Sequence, residues 1–183
     1  MTTVVVDLTN QKIVTDSRCT GNRKVSYTLS FFKKKLKLPF FKFQECVSTD
    51  DYTVKSVRIN KNGFTEYAVG SGTVQEIKKF IKNYSNDTIP KKFLKDSTVL
   101  VVSFNGYRWV VKSYSNSTLH LYGSDVDWIT SGSGSQLSAA AMDMISEENR
   151  NRAEKAVEVA INRDTYSGGE IRTLQLQDYC DIY

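Results

Sequence analysis

Two short bursts of β-branched residues open the chain. Residues 3–8 and 12–15 flank the polar turn Thr9-Asn10-Gln11, which predicts two strands. Residues 53–60 and 64–69 predict a second pair around Asn62-Gly63, a strong hairpin signal. After Gly70-Ser71-Gly72 the period lengthens. Val74, Ile77, Phe80, Ile81 and Tyr84 recur at helical spacing, so the glycine turn is expected to open a helix with one buried stripe. Residues 86–95, with Pro90, read as a loop. Residues 99–104 and 107–112 predict a hairpin around Asn105-Gly106, residues 118–122 a strand, and Trp128-Ile129 another that ends in Ser131-Gly132-Ser133-Gly134-Ser135. Two helices follow, one with Leu137, Ala140, Ala141 and Met144 on one side, the next with Ala153, Ala156, Val157, Ala160 and Ile161. A last strand runs over 171–176.

Hairpin-linked strands favour antiparallel sheets, and amphipathic helices must cover sheet faces. The expected class is α+β, a four-layer αββα sandwich of two stacked sheets between helix layers. The chain reads as one domain over residues 1–183, interrupted at about 21–52 by an insertion. Within the insertion, aromatic and lysine residues partly alternate over 31–43, as in a ribbon with one apolar and one basic face. A solvated lysine face is the simplest reading, and a docking surface for a partner or a neighbouring subunit is the next. The aromatics are too many to leave wet, so burial against the body or another chain is expected.

Composition narrows the chemistry. The 183 residues are 40% hydrophobic and 25% charged, as in a soluble globular protein. No apolar run approaches the ~20 residues that cross a bilayer, and the N-terminus lacks the basic and apolar regions of a signal peptide. Cys19, Cys46 and Cys180 are odd in number and widely spaced, so neither a disulfide framework nor a zinc site is suggested and a reducing cytoplasm fits. The single histidine, His120, rules out a multi-histidine metal site and reads as an exposed strand residue. No cofactor is expected, and no GxxxxGK[ST] phosphate loop occurs. A net charge of +5 permits an acidic partner without requiring one.

Four segments remain: Thr2-Thr3-Val4-Val5-Val6 after a single Met, Asp16-Ser17-Arg18-Cys19-Thr20, Ser131-Gly132-Ser133-Gly134-Ser135 entering an alanine-rich helix, and Arg163-Asp164-Thr165-Tyr166-Ser167-Gly168-Gly169. Taken in this order they resemble the β-type proteasome subunits and HslV peptidases, the threonine-peptidase branch of the N-terminal nucleophile (Ntn) hydrolases. The resemblance spans the chain except the insertion, and the fourth segment is its most specific part.

The resemblance implies an endopeptidase whose nucleophile is Thr2, exposed by removal of Met1. A threonine hydroxyl is a poor nucleophile at neutral pH and needs a base. A free α-amino group, with a pKa of roughly 7.7–8.0, can be that base on the same residue. Asp16 maps onto the family's catalytic aspartate, and Ser133, Asp164 and Ser167 onto its partners around the amino terminus. The catalytic lysine is matched by Lys55, although an ungapped count from the glycine turn puts Ser56 there, and Lys33 or Lys34 are further candidates. The turn of Ser71 and Gly72 would supply main-chain N–H groups to the oxyanion, and Val69 would line the pocket for the substrate side chain.

Family behaviour implies a homo-oligomeric ring, a protein or peptide substrate and an ATP-driven unfoldase as partner. Composition fits the cytoplasm and no membrane, and the few lysines of the insertion are a weak signal for nucleic acid. The rival readings are a catalytically inactive structural or regulatory subunit, a basic binding module on the same fold, and a small-molecule amidase.

Overall fold

The computed structural model describes residues 2–31, 34–50, 55–61, 64–88, 94–123 and 125–177. Strands β1 (Thr3–Asp7) and β2 (Lys12–Asp16) form the first hairpin, with Gln11 taking a positive φ of 52° in its turn. They are the centre of a four-stranded antiparallel sheet. Strand β10 (Trp128–Gly132) flanks β1, and β11 (Ile171–Gln175) flanks β2. All five residues of β1 are buried, because both faces of this sheet are covered. That is why the strand reads as a run of valines rather than an alternation.

The second sheet has five antiparallel strands in chain order: β5 (Ser56–Lys61), β6 (Phe64–Ser71), β7 (Thr98–Phe104), β8 (Trp109–Ser115) and β9 (Thr118–Tyr122). Strand alternation sends Tyr67, Val69, Leu100, Val102 and Val111 toward Val4, Val6 and Ile13 of the first sheet, forming the inter-sheet core. The opposite faces meet helices. Ala68, Val99, Val101 and Tyr114 pack against Phe80 and Tyr84 of α1 (Val74–Ser85). Val5 and Val14 pack against Ala141 and Met142 of α2 (Ser135–Met144) and Ala153, Ala156 and Val157 of α3 (Arg152–Arg163). The layers run helix, sheet, sheet, helices, an αββα sandwich. Each fully buried valine or leucine contributes about 1.5–3 kcal/mol relative to exposure.

Several expectations shift in detail. Strand β8 starts at Trp109. Residues 107 and 108 belong to the turn, where Asn105 Oδ1 accepts from both their amides at 3.1 and 3.0 Å. Helix α1 starts at Val74 with Thr73 as its N-cap, so Gly70 and Ser71 end β6 instead of opening the helix. Helix α2 buries Ser138, Ala141 and Met142, while Leu137 is 36% and Met144 88% exposed. The anticipated and observed stripes share Ala141. Packing against α3 selects the one with small Ser138, whose hydroxyl folds back onto Gly134 O at 3.1 Å. The Asn62-Gly63 turn, Pro90 and Cys180 lie outside the described residues.

The insertion is a separate two-stranded sheet of β3 (Cys19–Phe31) and β4 (Lys34–Asp50). Its register sets Val25 opposite Phe43 and Leu29 opposite Leu36, alternating with Ser26 opposite Lys42 and Ser30 opposite Lys35. The same register sets Arg23 opposite Glu45 and Phe31 opposite Lys34, with shifts between Cys19 and Thr20 and between Ser26 and Thr28. Residues 19–50 hold seven of the 25 Lys and Arg and two of the 20 Asp and Glu. The net charge of +5 is therefore that of this arm, and the rest of the chain has eighteen residues of each sign. No helix among the described residues is long and apolar enough to cross a membrane.

Candidate active site

Thr2 stands just ahead of β1 and Asp16 ends β2. The hairpin register, with Val4 opposite Thr15, therefore brings the start of the chain to the aspartate. Asp16 is fully buried. Its Oδ1 accepts from Thr2 Oγ1, from Thr3 N at 2.8 Å and from Lys55 Nζ at 2.8 Å, and its Oδ2 accepts from Gly168 N at 3.0 Å. Lys55 Nζ also donates to Thr2 Oγ1. The three side chains Thr2, Asp16 and Lys55 thus touch one another, and the Lys55 side chain is only 8% exposed. Burial strengthens such a pair only when its remaining hydrogen-bonding sites are filled. Here both aspartate oxygens are.

Lys55 comes from outside the sheet. It precedes β5 and is tied to the neighbouring strand β6 by Gly70 N donating to Lys55 O at 3.3 Å. Ser56, the other candidate, opens β5 opposite Val69. Lys34 opens β4 in the arm, and Lys33 lies outside the described residues.

A second cluster adjoins the first. Ser133 Oγ and Ser167 Oγ both donate to Asp164 Oδ2, at 2.5 and 2.6 Å, and Ser167 Oγ lies 2.6 Å from Thr3 Oγ1. Asp164 is the C-cap of α3, where the helix stops and the chain turns back. Burial raises its pKa, but the hydrogen bonds from Ser133, Ser167 and the Tyr166 amide outweigh that, and the carboxyl is held below its ordinary value. The segment after Asp164 is pinned to the one after Asp16. Arg18 N donates to Gly168 O at 2.9 Å, Arg18 Nη1 to Ser167 O at 3.3 Å and Glu170 N to Ser17 Oγ at 2.8 Å.

Two glycines are required by contact. Gly132 has a φ of +100°, and a Cβ there would overlap the Thr2 carbonyl oxygen. A Cβ at Gly134 would overlap Thr3 Oγ1 and come within 2.9 Å of Ala160 Cβ. The serines and glycines of 131–135 thus form the end of β10, a turn and the start of α2, packed against the chain start. Among the described residues, no group of three or more His, Cys, Asp and Glu is placed to hold a metal ion.

The remaining candidates are positioned differently. Ser71 ends β6 and its hydroxyl lies 2.7 Å from Ser131 Oγ. Gly72 follows with a φ of +115°, two residues before the helix rather than at its first turn. Val69 is not a pocket wall. It is fully buried in the inter-sheet core, because β6 turns Tyr67, Val69 and Ser71 to its inner face.

No protein-family model matches the chain, and no curated protein does. Solved structures do. HslV from Trypanosoma brucei superposes with a TM-score of 0.62 at 13% identity, over 96% of this chain and 99% of that one. The fold is that of HslV. Anbu from Hyphomicrobium sp. strain MC1, in a Gly-1 mutant, gives a TM-score of 0.63 at 9% identity, over 97% of this chain and 82% of that one. BPH from Thiobacillus denitrificans, in complex with epoxomicin, gives 0.52 at 12% identity, over 96% and 99%. These neighbours are HslV- and proteasome-like Ntn hydrolases. On this HslV-like fold the residues not singled out beforehand are Thr3, Arg18, Ser131, Gly132 and Gly168. The motifs contain all five, but only the cross-chain contacts distinguish them from spacers.

Proposed function

We propose that the chain is an N-terminal threonine endopeptidase of the HslV and proteasome type, active once the residue before Thr2 has been removed. The observation that carries this reading is the joint contact of Thr2 Oγ1 with Asp16 Oδ1 and Lys55 Nζ. A buried ammonium beside the hydroxyl favours the alkoxide over the alcohol.

In the proposed reaction Thr2 Oγ1 attacks the scissile carbonyl carbon and its proton passes to the free α-amino nitrogen. The new C–O bond makes a tetrahedral oxyanion, received by main-chain N–H groups of the Ser71–Gly72 turn. Collapse breaks the C–N bond, and the α-ammonium gives its proton to the leaving amine. Water, activated by the same amine, then cleaves the ester and restores Thr2. Lys55 holds the Thr2 oxygen, and Asp16 holds Lys55. Ser133, Asp164 and Ser167 orient the amine. Asp164 keeps its negative charge below the usual carboxylate range, so it is an acceptor throughout this chemistry.

The same reading takes the chain as one domain in a homo-oligomeric ring in the cytoplasm, acting on protein or peptide substrates delivered by an ATP-driven unfoldase. The test is intact mass of the purified native protein before and after treatment with an epoxyketone, the reagent class of the epoxomicin bound in the BPH structure. Such a reagent requires both the hydroxyl and the free amine of the first residue. The expected result is loss of Met1 and one covalent adduct that Thr2→Ala abolishes. A free Thr2 that never reacts would overturn the reading.

A further inference from the structure

Between the β8–β9 end of the five-stranded sheet and β10 lies an open cavity of about 410 Å³, with Leu100, Ser113, His120, Ser131, Gly132 and Ser135 in its wall. Three observations bear on what it holds. Ser113 is only 5% exposed, yet its hydroxyl has no hydrogen-bond partner among the described residues. A ligand group in the cavity can take up this hydroxyl's hydrogen bond. Second, Ser135 is the first residue of the ten-residue helix α2. The first intrahelical bond runs from Ser138 N to Gly134 O, leaving the earlier amides without helical acceptors. The positive end of the helix dipole therefore stands at the wall. Third, the wall carries hydroxyls and one imidazole and no acidic side chain. Thr130 already donates to Ser135 O and Ser131 is bonded to Ser71, but Ser113 can donate. That donor, the positive dipole and the lack of any acidic side chain fit a group that only accepts, a carboxylate.

The cavity is joined to the catalytic cluster. Ser131 shares a hydrogen bond with Ser71, and Gly132 lies against the Thr2 carbonyl. We propose that this cavity is a substrate subsite for a carboxylate, the side chain of an Asp or Glu within a few residues of the scissile bond. The proposal rests on the peptidase reading and adds a substrate class to it.

The experiment uses the processed native protein and a panel of fluorogenic peptides in which one Glu or Gln is moved through the positions on both sides of the cleaved bond. Hydrogen bonds to a charged group predict that kcat/KM favours Glu over Gln about tenfold or more at one position. Ser113→Ala and Ser135→Ala, each checked for folding by Tm, are expected to bring that ratio toward one. Because the ratio compares two peptides on one variant, a general loss of activity cancels. Cleavage with no acidic preference at any position, or a preference that both variants retain, would overturn the subsite and leave the peptidase reading intact. Absence of both cleavage and epoxyketone labelling of Thr2 would overturn the peptidase reading, and the subsite with it.

Discussion

The site is built from two halves that differ in how they are held. The four-stranded sheet and its helices contribute Thr2, Asp16, Ser133, Asp164 and Ser167, all within one web of hydrogen bonds between neighbouring strands and loops. The five-stranded sheet contributes Lys55, ahead of its first strand, and the Ser71–Gly72 turn, at the end of its second. The first half is crowded enough to demand glycine at 132 and 134. The second reaches Thr2 through one long side chain and the first sheet through a serine–serine contact. The proposed nucleophile is thus set by backbone geometry, while its cationic partner arrives on a side chain whose base can come from elsewhere in the chain.

The largest expected effect strikes the dense half. Thr2→Ala should lower peptide turnover by on the order of 10⁴-fold or more, as removal of a nucleophile does, and retained turnover in a progress-curve assay would remove Thr2 from its role. Lys55→Ala tests the other half. It should cost about 10²- to 10³-fold in turnover, comparable to losing one oxyanion donor. It should also lower Tm, because Asp16 stays buried without its cation. If Ser56→Ala matched that loss and Lys55→Ala did not, the lysine assignment would fall.

Gly132→Ala should destabilise by about 1–3 kcal/mol from its backbone conformation alone, with the overlap on Thr2 adding to it. Urea unfolding would read this, and an unchanged midpoint would mean the chain start is held loosely. The smallest effects are the pH limbs, one for each half. Asp164 has a lowered pKa, so the stability it contributes is present above its unfolded value, near 3.8, and is lost as pH falls below that. Asp164→Asn should flatten the acid limb of a Tm-against-pH curve. Tyr84 donates to Glu66 Oε2 at 2.8 Å. Burial first, then this hydrogen bond, raises its pKa. Its contribution is complete below the unfolded value of 10.0 and is lost as pH rises above that. Tyr84→Phe should flatten the alkaline limb, and an unaltered limb in either variant would unlink that group from stability.

The contrast between halves also governs what the sequence disclosed. The strand and helix order, the hairpins and the sandwich follow from the pattern of apolar positions, because each helix buries one stripe and the central strands, covered on both faces, read as apolar runs. Asp16 and Ser167 stand in contiguous motifs because their neighbours are consumed in local contacts, such as Arg18 to Gly168. Lys55 was harder to place. A 32-residue arm, residues 19–50, separates it from Asp16, and it sits one residue outside the strand, where alternation ceases to determine direction. Val69 misled for a related reason. Apolar residues of a core and of a pocket look alike in sequence, and the sheet opposite decides between them. The helix stripe through Leu137 failed because two stripes of equal period share Ala141.

The charge carried on the β3–β4 arm has a consequence for handling the protein. By formal charge the rest of the chain is balanced at neutral pH and the arm alone carries the excess of positive charge. The sequence isoelectric point near 9.0 thus derives from a segment about one-sixth of the chain, and retention on a cation exchanger is expected to depend on it. A protein trimmed of residues 19–50 would focus near neutrality and pass through the same column.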